Sequence, residues 1–152
     1  MVGLIFITSG CSKANESNEY ENENIKGVII RYYSDPDRKL SNKVEIDLTA
    51  EGAYVKYSNY YNEIEKEFTV QNIDEIKDFV KENILVSKKT GESRKSNNSD
   101  MQKVLWRIRV LTENDSYNYS DNNEYPEYWE ELWEVIVSEC DAEDVNEFAV
   151  EE

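Results

Sequence analysis

The sequence predicts an α+β domain: a mainly antiparallel sheet of about five to six strands with two helices packed on one face. Three observations carry that prediction. Strand signals arrive in consecutive pairs joined by turn residues, two segments show clean period-2 alternation, and two others place apolar residues at helical spacing. The predicted order is β-β-β-(β)-α-β-β-α.

Ile25 to Tyr33 opens the domain, with Val28, Ile29, Ile30, Tyr32 and Tyr33 supplying β-propensity, and Asp35-Pro36-Asp37 ends it with turn chemistry. Val44, Ile46 and Leu48 alternate with Glu45, Asp47 and Thr49, which predicts a strand with one buried face. Glu51-Gly52 turns the chain into a partner strand over residues 53–60, and Phe68, Thr69 and Val70 read as the end of a further short strand. Asn72 and Glu75 have the spacing of a capping box, followed by Ile73, Ile76, Val80 and Ile84 on one helical face with Phe79 adjacent.

Val104, Trp106, Ile108 and Val110 alternate with Leu105, Arg107, Arg109 and Leu111, a second clear strand, and Asn114-Asp115 turns it toward Tyr117 and Tyr119. Pro126 suits the first turn of a second helix. On that helix Trp129, Leu132, Trp133, Ile136 and Cys140 repeat at i, i+3, i+4, i+7 and i+11 as a continuous core stripe. Trp106, Trp129 and Trp133 all read as core.

The organisation follows from composition. With 152 residues the chain predicts one domain, over residues 25–140, and the polar stretches 12–24, 87–100 and 141–152 read as flanking or looping segments. The last of these has six acidic residues and no basic one, and is expected to fray. The formal net charge of −16 disfavours nucleic acid and anionic lipid headgroups as partners, and favours cations or basic proteins. No histidine is present and the two cysteines, Cys11 and Cys140, are far apart in sequence. Those counts exclude Ser-His-Asp and Cys-His catalysis within this chain, and tetrahedral Cys/His metal sites. Cys140 falls in phase with the core stripe, and a bridge to Cys11 is the minor alternative.

No phosphate-binding glycine loop occurs among five glycines. Asp35-Pro36-Asp37 and Asp121-Asn122-Asn123-Glu124 do not fit a twelve-residue calcium loop, whose sixth position is glycine; here Leu40 and Pro126 stand there. The acidic residues offer many carboxylate pairs of glycosidase type but none stands out, so the expectation is a non-enzyme with no cofactor and no metal.

The N-terminus gives an address. The apolar run Val2 to Ile7 is followed by Thr8-Ser9-Gly10-Cys11, and then by a polar tract through Asn24. This resembles the lipobox of bacterial lipoproteins, with Ser9 and Gly10 matching the small-residue positions and Thr8 departing from the usual Leu, Val or Ile. The resemblance covers eleven residues and the tether, and implies a signal peptide over residues 1–10. It further implies a lipidated (diacylglyceryl- and palmitate-bearing) Cys11 with a tether over 11–24, and a cell-membrane location on the extracytoplasmic face, Gram-positive by the richness in Asn, Lys, Glu, Ile and Tyr. No Lys or Arg precedes the apolar run, which the reading accounts for by a translation start upstream of Met1. The alternative for residues 1–11 is an ordinary apolar strand.

Eleven tyrosines suggest the binding surface. Tyr54, Tyr57, Tyr60 and Tyr61 lie on one strand and its continuation, a candidate for protein or glycan recognition, and Tyr117, Tyr119, Tyr125 and Tyr128 form a second group. Lys88, Lys89, Arg94 and Lys95 make the one basic cluster along the sequence. The expected function is a membrane-anchored lipoprotein with a non-catalytic binding or accessory role. Two alternatives stand beside it, a small acidic inhibitor or immunity-type protein with a basic partner, and a carboxylate-based hydrolase.

Overall fold

A computed structural model describes residues 20–35, 37–49, 51–87 and 104–150. Within them lie six strands: β1 (Ile25–Tyr33), β2 (Ser41–Asp47), β3 (Tyr54–Asn59), β4 (Ile64–Thr69), β5 (Trp106–Thr112) and β6 (Ser116–Asp121). They form one antiparallel sheet in the order β4-β3-β2-β1-β5-β6. The helices are α1 (Ile73–Phe79), continued by a π-helical segment over Val80–Leu85, and α2 (Trp129–Glu139).

The alternation of the sequence decides which side of the sheet is buried. Val28, Ile30 and Tyr32 of β1, Val44 and Ile46 of β2, Val55 and Tyr57 of β3, and Trp106, Ile108 and Val110 of β5 are all buried, and the residues between them are mostly half-buried or exposed. The register locks these sets together: Ile30 faces Val44 on one side and Ile108 on the other. A slip of one residue would turn every one of them to solvent. A bulge between Ile25 and Gly27 keeps Ile25 buried at the start of β1.

Both sheet edges are strands in which charge or polarity replaces apolar alternation. β4 carries Glu65, Lys66 and Glu67 and is exposed at every position but Phe68, which protects an edge from pairing with another chain. The end of α2 and the residues that follow it cover the end of this edge. Gln71 donates its amide to the Glu139 carbonyl at 2.7 Å, Asp141 donates to the Thr69 carbonyl at 3.3 Å, and Thr69 donates to Asp141 Oδ1 at 2.8 Å.

A polar network occupies the buried side where β2 and β3 meet. Asn42 Oδ1 accepts from Tyr57 Oη at 2.8 Å and from Asn59 Nδ2 at 2.9 Å, while Asn59 Oδ1 accepts from the amides of Tyr61 and Asn62. The β3–β4 turn is thus held from inside the sheet.

Three local expectations are corrected. Asn72 makes no side-chain cap hydrogen bond, so the capping box does not form. After Phe79 the helix widens, and i→i+5 bonding lets Val80, Ile84 and Leu85 all be buried. The third correction concerns the acidic end of the chain: Asp141 to Val150 does not fray among the described residues. It forms a 3-10 turn, Val145–Phe148, with Asp144 Oδ1 accepting from the Asn146 amide at 2.7 Å and Phe148 fully buried. Phe148 packs against Phe68, Trp133 and Tyr57 at ring-centroid distances of 5.1, 5.6 and 6.1 Å, and its carbonyl accepts from the Tyr32 hydroxyl. The domain therefore extends past residue 140, anchored by the buried ring of Phe148.

Candidate functional site

The C-terminal end of β1 and the start of β5 leave the sheet beside α2, and the last turn of the chain closes against them. Between them lies a cavity of about 1000 Å³, at the upper end of the range for small-molecule sites. Its walls are built from three pieces of backbone, each fixed by its own hydrogen bonds.

The first piece is the β1–β2 loop. Asp35 Oδ1 accepts from the amides of Lys39 and Leu40 at 2.9 and 2.8 Å, and the Asp35 carbonyl accepts from the Arg38 amide at 3.0 Å. This arrangement holds Asp35 at the rim and leaves Oδ2 outside the turn. The second piece is the approach to α2. Trp106 Nε1 donates to the Glu124 carbonyl at 2.6 Å and Tyr125 Oη donates to the Tyr33 carbonyl at 2.7 Å. So anchored, Tyr125 stacks on Trp129 with centroids 4.5 Å apart and planes 28° from parallel. The third piece is the C-terminal turn, where Glu147 Oε1 accepts from the Glu143 amide at 2.6 Å and Ala149 takes a left-handed φ of 51°.

The floor is aromatic. Tyr32, Trp129 and Trp133 contact one another at 5.1–5.6 Å, with Tyr125 stacked above. Burial, with Tyr57 and Tyr125 nearby, pushes the Tyr32 phenol far above its ordinary value, so it remains a neutral donor to the Phe148 carbonyl. Trp133 is buried and its indole N–H has no acceptor among the described residues.

The rim is acidic. Asp35, Glu127, Glu130, Glu134, Glu143 and Asp144 line the cavity, and among the described residues no Lys or Arg does. Glu130 and Glu134 lie one turn apart on α2 and Glu127 in the turn just before it, and none of the three has a cationic partner among the described residues. Like charges at i, i+4, such as Glu130 and Glu134, cost a helix about 0.2–0.5 kcal/mol. The electrostatics of this rim are complementary to a positive charge, and the aromatic faces behind it attract the same charge through their quadrupoles. Among the described residues no three Asp, Glu or Cys side chains converge closely enough to hold a metal ion, so the acids form a rim and not a coordination shell.

The tyrosines expected to form a binding surface do not share one place. Tyr57 is 3% exposed and belongs to the core network, a correction that follows from its parity with Val55 on β3. Tyr54 is half-buried on the opposite side of the same strand, and Tyr60 and Tyr61 are exposed in the β3–β4 turn. None of the four lines the cavity. Of the second group, Tyr119 is buried, Tyr117 packs edge-on to Tyr20 at 5.7 Å, and Tyr125 alone reaches the cavity. Cys11 and the basic cluster Lys88 to Lys95 lie outside the described residues.

Trp106, Trp129 and Trp133 are buried as expected, but Trp129 and Trp133 also wall the cavity. The signal for this was present in the glutamates that flank the tryptophan stripe at matching helical spacing. Cys140 is a free, buried thiol whose pKa burial pushes up, and it takes the core position expected of it. No protein-family model matches the chain, and comparison with curated proteins and with solved structures finds no match either.

Proposed function

We propose that this chain is a non-catalytic binding protein whose site is the acid-rimmed, aromatic-floored cavity, and that its ligand is a small organic cation carrying an ammonium group. The observation that carries the reading is the pairing of six rim carboxylates with five aromatic side chains and, among the described residues, no basic one in a single cavity. Cation–π contact with Trp129 or Tyr125 contributes about 0.5–2 kcal/mol, and a carboxylate partner fixes the charge at the mouth. Both helices, in this reading, close over the side of the sheet that carries Val28 and Ile108. The ring contacts of Tyr32 with Trp129 and Trp133 support that placement.

The lipobox-like segment ending at Cys11 supports display of the domain from the extracytoplasmic face of the membrane, on a lipid anchor and a polar tether. Among the described residues no helix is long and apolar enough to cross a membrane. The net charge of −16 supports a partner that is not nucleic acid. The acidic rim also supports the second reading, an inhibitor-like protein whose basic partner inserts a Lys or Arg side chain into the same cavity.

Two measurements test the proposal. Titration with tetramethylammonium and with choline, followed by tryptophan fluorescence, should give saturable changes that are lost in Trp129→Ala and weakened in Glu130→Gln/Glu134→Gln. A response no larger than that to sodium at equal ionic strength refutes the cation site. Mass spectrometry of the mature N-terminus should find diacylglyceryl-modified Cys11, and an unmodified chain retained in the cytosol removes the anchor.

A further inference from the structure

The solvent-facing side of the sheet has the opposite electrostatic character to the cavity. The alternation that buries Trp106, Ile108 and Val110 sends Arg107 and Arg109 to the other side of β5, and the β1–β5 register sets Arg31 directly opposite Arg107 and Ile29 opposite Arg109. Adjacent strands lie about 4.8 Å apart and residues i and i+2 about 6.7 Å apart. Three of the five arginines in the chain therefore start from backbone positions within about 8 Å of one another.

Their surroundings leave that charge uncompensated. On the next strand Lys43 stands opposite Arg31, but Lys43 is neutralised by Glu45 at 2.6 Å. Arg31 and Arg107 have no hydrogen-bond or ion-pair partner among the described residues, and the polar contact of Arg109 is with Ser116 Oγ at 3.4 Å, at the limit of a hydrogen bond. Their cross-strand neighbours on β6 are Ser120 and Asn118, which carry no charge. Like charges directly opposite in a sheet destabilise it, so a chain with 33 acidic residues leaves a local charge of +3 unpaired on adjacent central strands.

We propose that Arg31, Arg107 and Arg109 form an anion site for a phosphate monoester on the solvent-facing side of β1 and β5. Three guanidinium forks offer donors to several oxygens of one tetrahedral group, and a dianion offsets more of the +3 charge than a carboxylate does. A long polyanion is excluded as occupant, because beyond the arginine triangle it meets a molecule of net charge −16. A single phosphoryl group feels the arginines at hydrogen-bond range and the remaining charge only through screening solvent.

The test titrates inorganic phosphate, glycerol 3-phosphate and dimethyl phosphate into the protein at constant ionic strength set with chloride, following arginine side-chain Nε–H signals by NMR. The expected result is saturable binding of the first two, with dimethyl phosphate at least tenfold weaker. Arg31→Gln/Arg107→Gln should lose at least tenfold in affinity, and Lys39→Gln, at a cation outside the triangle, should bind as the parent does. The double variant removes a repulsion, so at low salt without phosphate it should melt at or above the parent temperature, and phosphate should raise the melting temperature of the parent alone. Shifts that chloride reproduces, an equally tight diester, or unchanged affinity in the folded double variant would each overturn the proposal.

Discussion

Replacing Phe148 by Ala tests whether the acidic C-terminal turn is part of the folded domain. Its ring is fully buried and touches Phe68, Trp133 and Tyr57, side chains from β4, α2 and β3, so removing it opens a void where three elements meet. Core Phe→Ala changes cost about 3–5 kcal/mol, a large part of the 5–15 kcal/mol typical of a whole domain. At roughly 4 °C per kcal/mol for a domain of this size, the melting temperature should fall by about 12–20 °C. Truncation after Ala142 should cost more, because the Tyr32 hydroxyl also loses the Phe148 carbonyl, about 1–3 kcal/mol for a buried donor left without a partner. Phe148→Leu keeps most of the volume and should recover most of the loss. Urea and thermal unfolding by circular dichroism read all three variants. A Phe148→Ala protein within about 1 kcal/mol of the parent refutes the packing described here, since an exposed or frayed phenylalanine is the one case in which its removal is free.

Asn42→Leu should cost about 1–3 kcal/mol for each of the two donors it orphans, Tyr57 Oη and Asn59 Nδ2, and hydrogen exchange at the Tyr61 and Asn62 amides should accelerate as the β3–β4 turn loosens. Gly27→Ala places a Cβ 2.8 Å from the Ile46 carbonyl oxygen, a backbone atom that cannot yield cheaply, so urea titration should show a loss of about 1–3 kcal/mol. Alkaline pH should unfold the domain through its tyrosines. Burial raises the phenols of Tyr32, Tyr57, Tyr117, Tyr119 and Tyr128, those of Tyr117 and Tyr128 to about 12. Unfolded phenols ionise near pH 10, so stability is full below that value and falls above it, Tyr32 alone removing about 1.4 kcal/mol per pH unit until its folded value is reached. Phenolate absorbance and circular dichroism should then change together, and phenolate appearing in advance of unfolding would contradict the burial.

The sheet was legible where alternation was strong. β1 runs over the predicted Ile25–Tyr33, and the stripe from Trp129 to Cys140 is buried as its spacing required. Alternation failed at β4, where Glu65, Lys66 and Glu67 are consecutive charges on an edge strand whose pairing comes from β3 and not from its own pattern. The start of α2 was also displaced. Pro126 suggested a helix beginning there, but Glu124 and Tyr125 are pinned to the sheet by Trp106 and Tyr33, and the helix begins at Trp129. The start of α2 is set by partners 18 and 92 residues away, which a local window does not contain, and β4 is set by the ladder of the strand before it.

The same limit separates the charge of the chain from its use. A net charge of −16 reads as one diffuse acidic surface, yet the fold sorts it. Helical spacing brings Glu130 and Glu134 along one edge of α2, the turn before the helix adds Glu127, and the buried Phe148 draws Glu143 and Asp144 to the same cavity. Strand parity sends Arg107 and Arg109 to the opposite side of the sheet from Trp106, and register adds Arg31, which lies about eighty residues earlier in the chain. Parity and helical spacing are visible in a single segment, but register and the docking of the last turn are not. The cavity carboxylates and the arginine triangle are therefore products of topology, and two ligands of opposite sign, tested on one protein, would report on two separate consequences of the same pairing between β1 and β5.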